Sequence, residues 1–290
     1  MKKLAIALII ITIILAASGI YYLSNLEKEV LRISTTTSLE DTGLLEELEA
    51  QFEKKYPNID IQIVSGGTGI ALERGKRGDT DLLIVHDKKR EETFIDEGYG
   101  TKRYPFAYNY FYIIGPKDDP ANINGSTTAT EAFHRIFTAA QTKSEVKFVS
   151  RGDNSGTNSR EIKIWNKTGI NYNDIKKSPW YIETGSGMAD TLRVANEKQA
   201  YTITDSGTYL AYQNRINLVP YLTNGSDLLN VYSAIPINPE KVNGANYDAA
   251  MKFVNFLLSK EGQDIIAKYG KGKYGNSLFT ALFGKSEPEA

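Results

Sequence analysis

The sequence predicts an α/β protein made of two doubly wound domains. Three observations support this prediction: short apolar segments alternate with amphipathic segments of helical period, the alternation occurs twice along the chain, and a long tyrosine-rich segment separates the two series. Alternating strands and helices imply a mostly parallel sheet with helices on both faces. The 290 residues, 41% of them hydrophobic, are enough for two modest domains, each with its own core.

The first series of predicted elements follows a short polar linker. VLRIS (30–34) is predicted as a strand, and apolar residues then recur at helical spacing until Pro57. The next segments are predicted, in order, as a strand at 59–64, a helix that opens near Ile70, a buried strand at 81–86 and a helix at 88–99.

The aromatic segment YPFAYNYFYIIG (104–115) is predicted to cross to a second domain, because it is long and ends at the turn signal KDDP (117–120). The second series is predicted as helices at 128–140, 158–167, 188–198 and 206–214, with strands at 146–150, 200–204 and 218–223. A strand at 230–238 and one amphipathic helix at 246–269 are predicted to return the chain to the first domain. Two crossing segments predict a two-segment hinge between the domains. The first domain is predicted to consist of residues 30–112 and 225–290, and the second of residues 113–224.

Residues 1–29 are predicted as an N-terminal export segment and linker. Lys2 and Lys3 precede an uncharged stretch from Leu4 to Leu23. This stretch is as long as the ~20 residues of a spanning helix and longer than the ~7–15 apolar residues of a cleavable signal, so its length favours a membrane anchor. The small residues 16–18 leave cleavage as a signal peptide open. Because the lysines stay inside, we expect either outcome to place the remainder outside the cytoplasm, at the cell surface or in the periplasm.

Composition excludes several classes of function. Lys and Arg number 34 against 35 Asp and Glu, so the chain has no overall basic field and we expect no nucleic-acid partner. Cysteine is absent, which excludes disulfides, thiolate nucleophiles and a lipidated N-terminal cysteine. The two histidines, His86 and His134, lie far apart in the sequence. We therefore expect neither a metal centre nor a cofactor.

Three hydroxyl-rich loops occur where a predicted strand is followed by a predicted helix. They are TTTS (35–38), SGGTG (65–69) and SRGDNSGT (150–157). At such a junction, the first backbone N–H groups of the helix are unpaired and the positive end of its dipole is exposed, which favours anions. Glycine permits close approach, hydroxyls donate hydrogen bonds without adding charge, and Arg151 supplies one cation. The three loops together predict an anion-binding site.

Two other interpretations apply to these loops. A Ser or Thr before a helix is commonly only an N-cap, worth ~1 kcal/mol, but capping alone explains three such loops less well than a shared anion does. Ser155 could alternatively be the nucleophile of a serine hydrolase, with His86 or His134 as base. The sequence around it places one residue too many before Ser155 for the G-x-S-x-G nucleophile elbow, and no triad is apparent.

Seven segments together resemble the TupA family of tungstate-binding proteins of ABC importers. They are TTTS, GGTG, DLLIVH (81–86), DEGYG (96–100), SRGDNSGT, WYIETGSGM (180–188) and AYTITDSGTYLA (200–211), and the resemblance extends from Val30 to Leu282. It implies a two-lobed periplasmic-binding-protein fold of type II, which closes on one oxyanion and has no enzymatic activity. It also implies tungstate as ligand, with molybdate, phosphate or sulfate as alternatives, and an ABC permease and its ATPase as partners of a monomeric protein.

The resemblance also implies which residues bind the oxyanion. These are Thr37, Ser38, Thr68, Arg151, Ser155, Gly156 and Thr157, with Thr36 a weaker candidate. Similar phosphate-binding proteins carry an Asp where this chain has His86, and family members often have Ala-Pro where it has Asp87-Lys88. We expect that His86 could gain a proton towards pH 6, and that affinity for a dianion holds or rises slightly from pH 8 to 6.

Four further polar or glycine residues lie in the last two of these segments. We interpret Gly185, Gly187, Ser206 and Gly207 as turn residues beside the ligand rather than as ligand contacts. His134 has helical spacing with Phe133 and Phe137, so we interpret it as a packed helix residue.

Overall fold

The structure is a computed structural model that describes residues 28–288. The predicted anchor or signal at 4–23 therefore lies outside the described residues. Across residues 28–288, none of the helices is both long and apolar enough to span a bilayer.

The first lobe is built on a sheet in which β1 (Glu29–Thr36) lies next to an edge strand. β1 pairs in parallel with β2 (Ile59–Gly66) on one side and with β3 (Leu82–Val85) on the other. All four residues of β3 are buried, as expected for a parallel strand covered on both faces. The three parallel strands end at the same edge of the sheet, where the loops to the following helices begin.

The remainder of this sheet is antiparallel, which the sequence did not predict. β3 pairs antiparallel with β9 (Leu229–Pro236), and β9 pairs antiparallel with β4 (Tyr104–Gly115). The short strand β10 (Thr280–Ala281) lies against β4 on its other side. The sheet is therefore mixed, because β9, which returns the chain from the second lobe, runs against the direction of both its neighbours, β3 and β4.

β4 connects the two lobes. Its first part pairs with β9, and its last part, from Phe111 to Gly115, pairs with β7 (Thr202–Asp205) and β8 (Val219–Leu222). One strand thus belongs to both sheets, as expected for a crossing segment. The exact lobe boundaries predicted from the sequence stay a prediction.

Helices cover both faces of the first sheet. On one face, α1 (Thr37–Glu40), α2 (Leu44–Lys55), α10 (Tyr247–Leu258) and α11 (Lys260–Lys268) pack around Phe52 and Phe253, whose ring centroids are 5.0 Å apart. On the other face lie α3 (Thr68–Arg77) and α4 (Lys88–Asp96), with Phe94 in their core. A short helix, α12 (Lys271–Tyr274), follows α11.

The prediction of a single helix at 246–269 is wrong, because this segment forms two helices. Ser259 has extended backbone (ψ 161°), and its hydroxyl accepts a hydrogen bond from the Gly262 N–H at 3.2 Å. Ser259 therefore ends α10 and caps α11. The apolar period continues across this break, which is why it alone predicted one helix.

The second lobe has an aromatic core. β5 (Phe148–Ser150) pairs in parallel with β6 (Tyr181–Glu183), and a bridge from Phe148 to Tyr201 links β5 to β7. α5 (Ala129–Ala140), α6 (Gly156–Lys167) and α7 (Tyr172–Lys176) cover one face, where Trp165 packs 4.5 Å from Phe133 and 5.3 Å from Phe148 between ring centroids. α8 (Met188–Lys198) and α9 (Ser206–Tyr212) cover the other face.

Candidate functional site

The first lobe brings three polar residues to the edge where its parallel strands end. Thr37 follows β1, Thr68 follows β2 at the start of α3, and His86 follows β3. Ligands in open α/β sheets bind at the carboxyl ends of the strands, which is where these residues lie. Ser38, in the single turn of α1, is fully buried, and its hydroxyl oxygen lies 3.2 Å from His86 Nε2.

The second lobe supplies one loop, from Ser150 to the start of α6. Gly152 and Asn154 both have left-handed backbone, with φ of +60° and +59°. A side chain at Gly152 would also lie 2.8 Å from Glu183 Cβ, so this position requires glycine. Ser155 is the N-cap of α6, because its hydroxyl accepts the Asn158 N–H at 3.1 Å. The tight loop thus directs the first N–H groups of α6 towards the first lobe.

The loops of the two lobes meet. Arg151 Nη2 donates to Thr37 Oγ1 across the cleft at 2.9 Å. A methyl group placed on Gly156 would lie 2.9 Å from His86 Nδ1 and 3.2 Å from Thr68 Oγ1. Each of the three hydroxyl-rich loops therefore reaches the same junction, and with them come all seven predicted site residues, Thr37, Ser38, Thr68, Arg151, Ser155, Gly156 and Thr157.

Four buried polar atoms at this junction have no hydrogen-bond partner among the described residues. They are Thr68 Oγ1 and His86 Nδ1 from the first lobe, and Arg151 Nη1 and Thr157 Oγ1 from the second. Leaving such a group unsatisfied costs ~1–3 kcal/mol, so the grouping of four makes this junction the candidate binding site. Guanidinium and hydroxyl groups are donors, and an imidazole can be one, so the missing partner must be rich in acceptors.

Arg151 brings a positive charge to the junction, and it is already paired with Asp153. Its Nε and Nη2 donate to Asp153 Oδ2 at 3.1 and 2.5 Å, whereas Nη1 has no hydrogen-bond partner within residues 28–288. The guanidinium is 2% exposed, so its charge is poorly screened. The N-termini of α3 and α6 add positive dipole ends without adding charge. This arrangement suits an anion whose charge is spread over several oxygens.

His86 is neutral over the physiological pH range. Burial, and then the positive charge of Arg151, lower the pKa of His86 to about 4. Its ring packs 4.9 Å from that of Tyr232 and 6.1 Å from that of Phe111. Our expectation that His86 could gain a proton towards pH 6 is therefore wrong, because the aromatic, dehydrated surroundings oppose the charge.

Two carboxylates near Arg151 were missed by the sequence reasoning. Burial and then the neighbouring Asp205 raise the pKa of Asp41 to about 6, against the attraction of Arg151. Burial also raises the pKa of Asp205, whose side chain caps α9 by accepting the Thr208 N–H at 2.9 Å. Asp41 belongs to the first lobe and Asp205 to the second, so no signal in the sequence could bring them together.

The four residues interpreted as turn residues lie in a loop or at helix N-termini, and the interpretation that they do not contact the ligand stays a prediction. Gly185 has φ +65°, Gly187 is the N-cap of α8, and Ser206 and Gly207 form the first turn of α9. His134 lies on α5, as expected, but its side chain is exposed, so the expectation that it packs in the core is wrong. The weaker candidate Thr36 is buried, and its hydroxyl lies 3.3 Å from that of Ser38.

Two α/β lobes joined by crossing strands, with buried donors meeting between them, define a solute-binding protein of the periplasmic-binding-protein class. A PBP superfamily domain profile matches residues 24–261. The chain is 40% identical over 250 residues to the tungstate-binding protein TupA of Peptoclostridium acidaminophilum, covering 86% of this chain and 84% of that protein. It is 42% identical over 254 residues to a putative ABC transporter anion-binding protein of Haloferax volcanii, covering 86% and 71%.

A solved structure agrees with these relatives. The tungstate ABC transporter protein of Geobacter sulfurreducens superposes with a TM-score of 0.73 at 40% identity, covering 83% of this chain and 99% of that one. The chain belongs to the TupA family of tungstate-binding proteins, within the PBP superfamily. The family and the two-lobed fold predicted from the sequence are thus confirmed.

Proposed function

We propose that this protein binds one tungstate ion between its lobes and delivers it, outside the cytoplasm, to the permease of an ABC importer. The observation that carries the proposal is a set of four buried atoms, contributed by both lobes, that have no hydrogen-bond partner in the described part of the chain: Thr68 Oγ1, His86 Nδ1, Arg151 Nη1 and Thr157 Oγ1. Two lobes that share one ligand are held together by it. Family membership supports tungstate as that ligand.

The ligand set we propose combines hydroxyls, helix N-termini and one guanidinium. It consists of the predicted residues Thr37, Ser38, Thr68, Arg151, Ser155, Gly156 and Thr157, to which the structure leads us to add His86. A tetrahedral anion presents four oxygens, each able to accept more than one hydrogen bond. Hydrogen bonds to a charged partner are worth ~1.5–3 kcal/mol each, so such a set can offset the cost of removing a dianion from water.

His86 offers a way to prefer a fully deprotonated anion. If Ser38 donates its hydroxyl hydrogen to Nε2, then the neutral ring carries its own hydrogen on Nδ1 and can donate it to the ligand. Tungstate at neutral pH has no proton to place, whereas hydrogen phosphate needs an acceptor. Asp153, which could accept such a proton, is occupied by Arg151 and by the Ser155 N–H at 3.2 Å. This arrangement supports tungstate or molybdate over phosphate.

The same proposal covers location and partners. We propose that residues 4–23 anchor the protein to the membrane, that residues 30–112 with 225–290 and residues 113–224 form the two lobes, and that the protein acts as a monomer. We infer no catalytic role, because the Ser155 hydroxyl serves as the cap of α6. The permease and its ATPase are proposed as partners from the family.

Isothermal titration with tungstate, molybdate, sulfate and phosphate at one pH tests this function. We expect tungstate to bind tightly at one site per chain, and sulfate and phosphate far more weakly. A native-state ligand at a thousandfold excess over its Kd stabilises by ~4 kcal/mol, so tungstate should also raise the melting temperature. Equal binding of all four anions, or none of tungstate, would contradict the proposal.

A further inference from the structure

A second set of contacts joins the lobes at the rim of the cleft. It lies outside the ligand junction, the place where the three hydroxyl-rich loops meet. Arg90, on α4 of the first lobe, donates from Nη1 to the backbone oxygen of Asn154 at 2.8 Å and from Nη2 to its side-chain oxygen at 2.6 Å. Asn154 has left-handed backbone and directly precedes Ser155. The guanidinium of one lobe therefore holds the ligand loop of the other lobe by two bonds to one residue.

Asp87 forms the second contact at this rim. It lies at the N-cap position of α4, directly after His86, and only 2% of its side chain is exposed. Its Oδ1 accepts from Lys163 Nζ of α6 at 3.1 Å, and its Oδ2 lies 3.4 Å from Arg90 Nε. Asp87 thus joins a cation of its own lobe to a cation of the other lobe.

The two contacts are linked to each other and to the site. Arg90 contacts both Asp87 and Asn154, so separation of the lobes breaks the Arg90–Asn154 and Asp87–Lys163 contacts together. Asp87 and Asn154 are not among the donors of the ligand junction, but Asp87 directly follows His86 and Asn154 directly precedes Ser155. Contacts made only when the lobes are closed slow the separation of the lobes, whereas the first encounter with an ion in the open cleft does not involve them.

We propose that Arg90 and Asp87 form a latch across the rim of the cleft, which positions the 151–157 loop in the closed state and lengthens the residence time of the bound anion. The proposal rests on the proposed function, since it concerns release of the same ligand. Arg90 and Asp87 are positioning residues, because they act through Asn154 and Lys163 and not on the anion. The latch stabilises the closed arrangement of the two lobes, and it adds no residue that contacts the anion.

Rapid-mixing kinetics with tungstate on the full chain test the latch. We expect Arg90→Ala and Asp87→Asn each to raise the dissociation rate at least about fivefold, with the association rate changed less than about twofold, because loss of a contact between closed surfaces acts mainly on dissociation. Arg90→Lys should recover part of the effect, since an ammonium can bond to Asn154 but cannot form the two-pronged contact.

Arg135→Ala is the matched control. Arg135 also makes a two-pronged contact, from Nη1 to the backbone oxygen of Asn122 and from Nη2 to Glu131 Oε1, both at 2.7 Å, but these contacts lie within the second lobe. We expect its dissociation rate to match that of the unaltered protein. Unaltered rates in both Arg90→Ala and Asp87→Asn, or an equal increase in Arg135→Ala, would overturn the latch while leaving tungstate binding intact. Failure of the unaltered protein to bind tungstate would overturn the proposed function itself.

Discussion

The two lobes contribute differently to the ligand junction. The first lobe supplies neutral donors, Thr37, Thr68 and His86, from loops fixed by three parallel strand ends. The second lobe supplies the cation, Arg151, from a single loop fixed by left-handed residues and by the cap of α6. We infer that the second lobe provides most of the electrostatic attraction, and that the first lobe provides the shape and hydrogen-bond pattern that discriminate among anions.

The largest expected effect comes from the cation of the second lobe. Arg151→Lys keeps the charge, but the guanidinium donates to Thr37 and Asp153 and has Nη1 left for the anion, whereas an ammonium has no such planar fork of donors. We expect a loss of at least about tenfold in tungstate affinity, since a lost bond to a charged ligand costs ~1.5–3 kcal/mol. Isothermal titration measures this effect, with Arg135→Lys as control. Unchanged affinity in Arg151→Lys would remove the second lobe as the main source of attraction.

Two matched substitutions, one in each lobe, allow a direct comparison of the lobes. Thr68→Val and Thr157→Val each remove one buried hydroxyl that has no partner among residues 28–288, while preserving the shape of the side chain. We expect each to lower tungstate affinity by about tenfold and to leave the melting temperature of the ligand-free protein the same or higher. If the first lobe discriminates among anions, Thr68→Val should also narrow the ratio of tungstate to sulfate affinity more than Thr157→Val. Equal ratios in the two variants would contradict that division of roles.

The smallest expected effect on tungstate affinity is that of pH. Because the pKa of His86 is about 4, His86 stays neutral from pH 8 to 6, whereas Asp41, with a pKa of about 6, begins to take up a proton. Protonation removes a negative charge near Arg151, so affinity for a dianion should rise as pH falls, by roughly twofold to threefold. Titrations at pH 8 and 6 should show this rise in the unaltered protein and in His86→Gln, but not in Asp41→Asn. A rise that persists in Asp41→Asn and disappears in His86→Gln would reverse the assignment.

The stability of the protein should respond to the same histidine at lower pH. The folded-state pKa of His86 lies below its ordinary value of 6.5, so the unfolded chain binds more protons between these values. The contribution of His86 to stability is therefore present above pH 6.5 and is lost as the pH falls towards 4, by up to about 3 kcal/mol. Denaturant unfolding of the unaltered protein and of His86→Gln at pH 7 and 4.5 measures the difference. A parallel loss of stability in both would show that other groups are responsible.

The sequence predicted the loops of the site because of their place in the chain. TTTS and SGGTG lie at the ends of two paired parallel strands, which end at one edge of the first sheet, so these two loops meet. SRGDNSGT follows β5 of the second lobe and reaches them through the packing of the lobes. The antiparallel direction of β9 could not be predicted, since the alternation of residues shows that a strand exists but not which way it runs. The break at Ser259 was hidden by an uninterrupted apolar period.

What the sequence could not predict depends on how the lobes meet. Asp41 and Asp205 are 164 positions apart in the sequence. Both lie near Arg151 in the structure because one lobe packs on the other. Likewise, the Arg90 contact with Asn154 is invisible in the sequence, where both residues look like solvated polar positions. Contacts between the lobes leave no periodic pattern of residues in the sequence from which they could be predicted.

The central claim is that one anion completes the hydrogen bonds of both lobes at the same point, and anomalous diffraction at a tungsten absorption edge from crystals of the tungstate complex tests it most directly. We expect one strong peak per chain, with the anion's oxygens within hydrogen-bond distance of Thr68 Oγ1, His86 Nδ1, Arg151 Nη1 and Thr157 Oγ1, the four atoms that lack a partner among the described residues. A peak elsewhere on the protein, or one whose oxygens contact donors of a single lobe, would contradict the account.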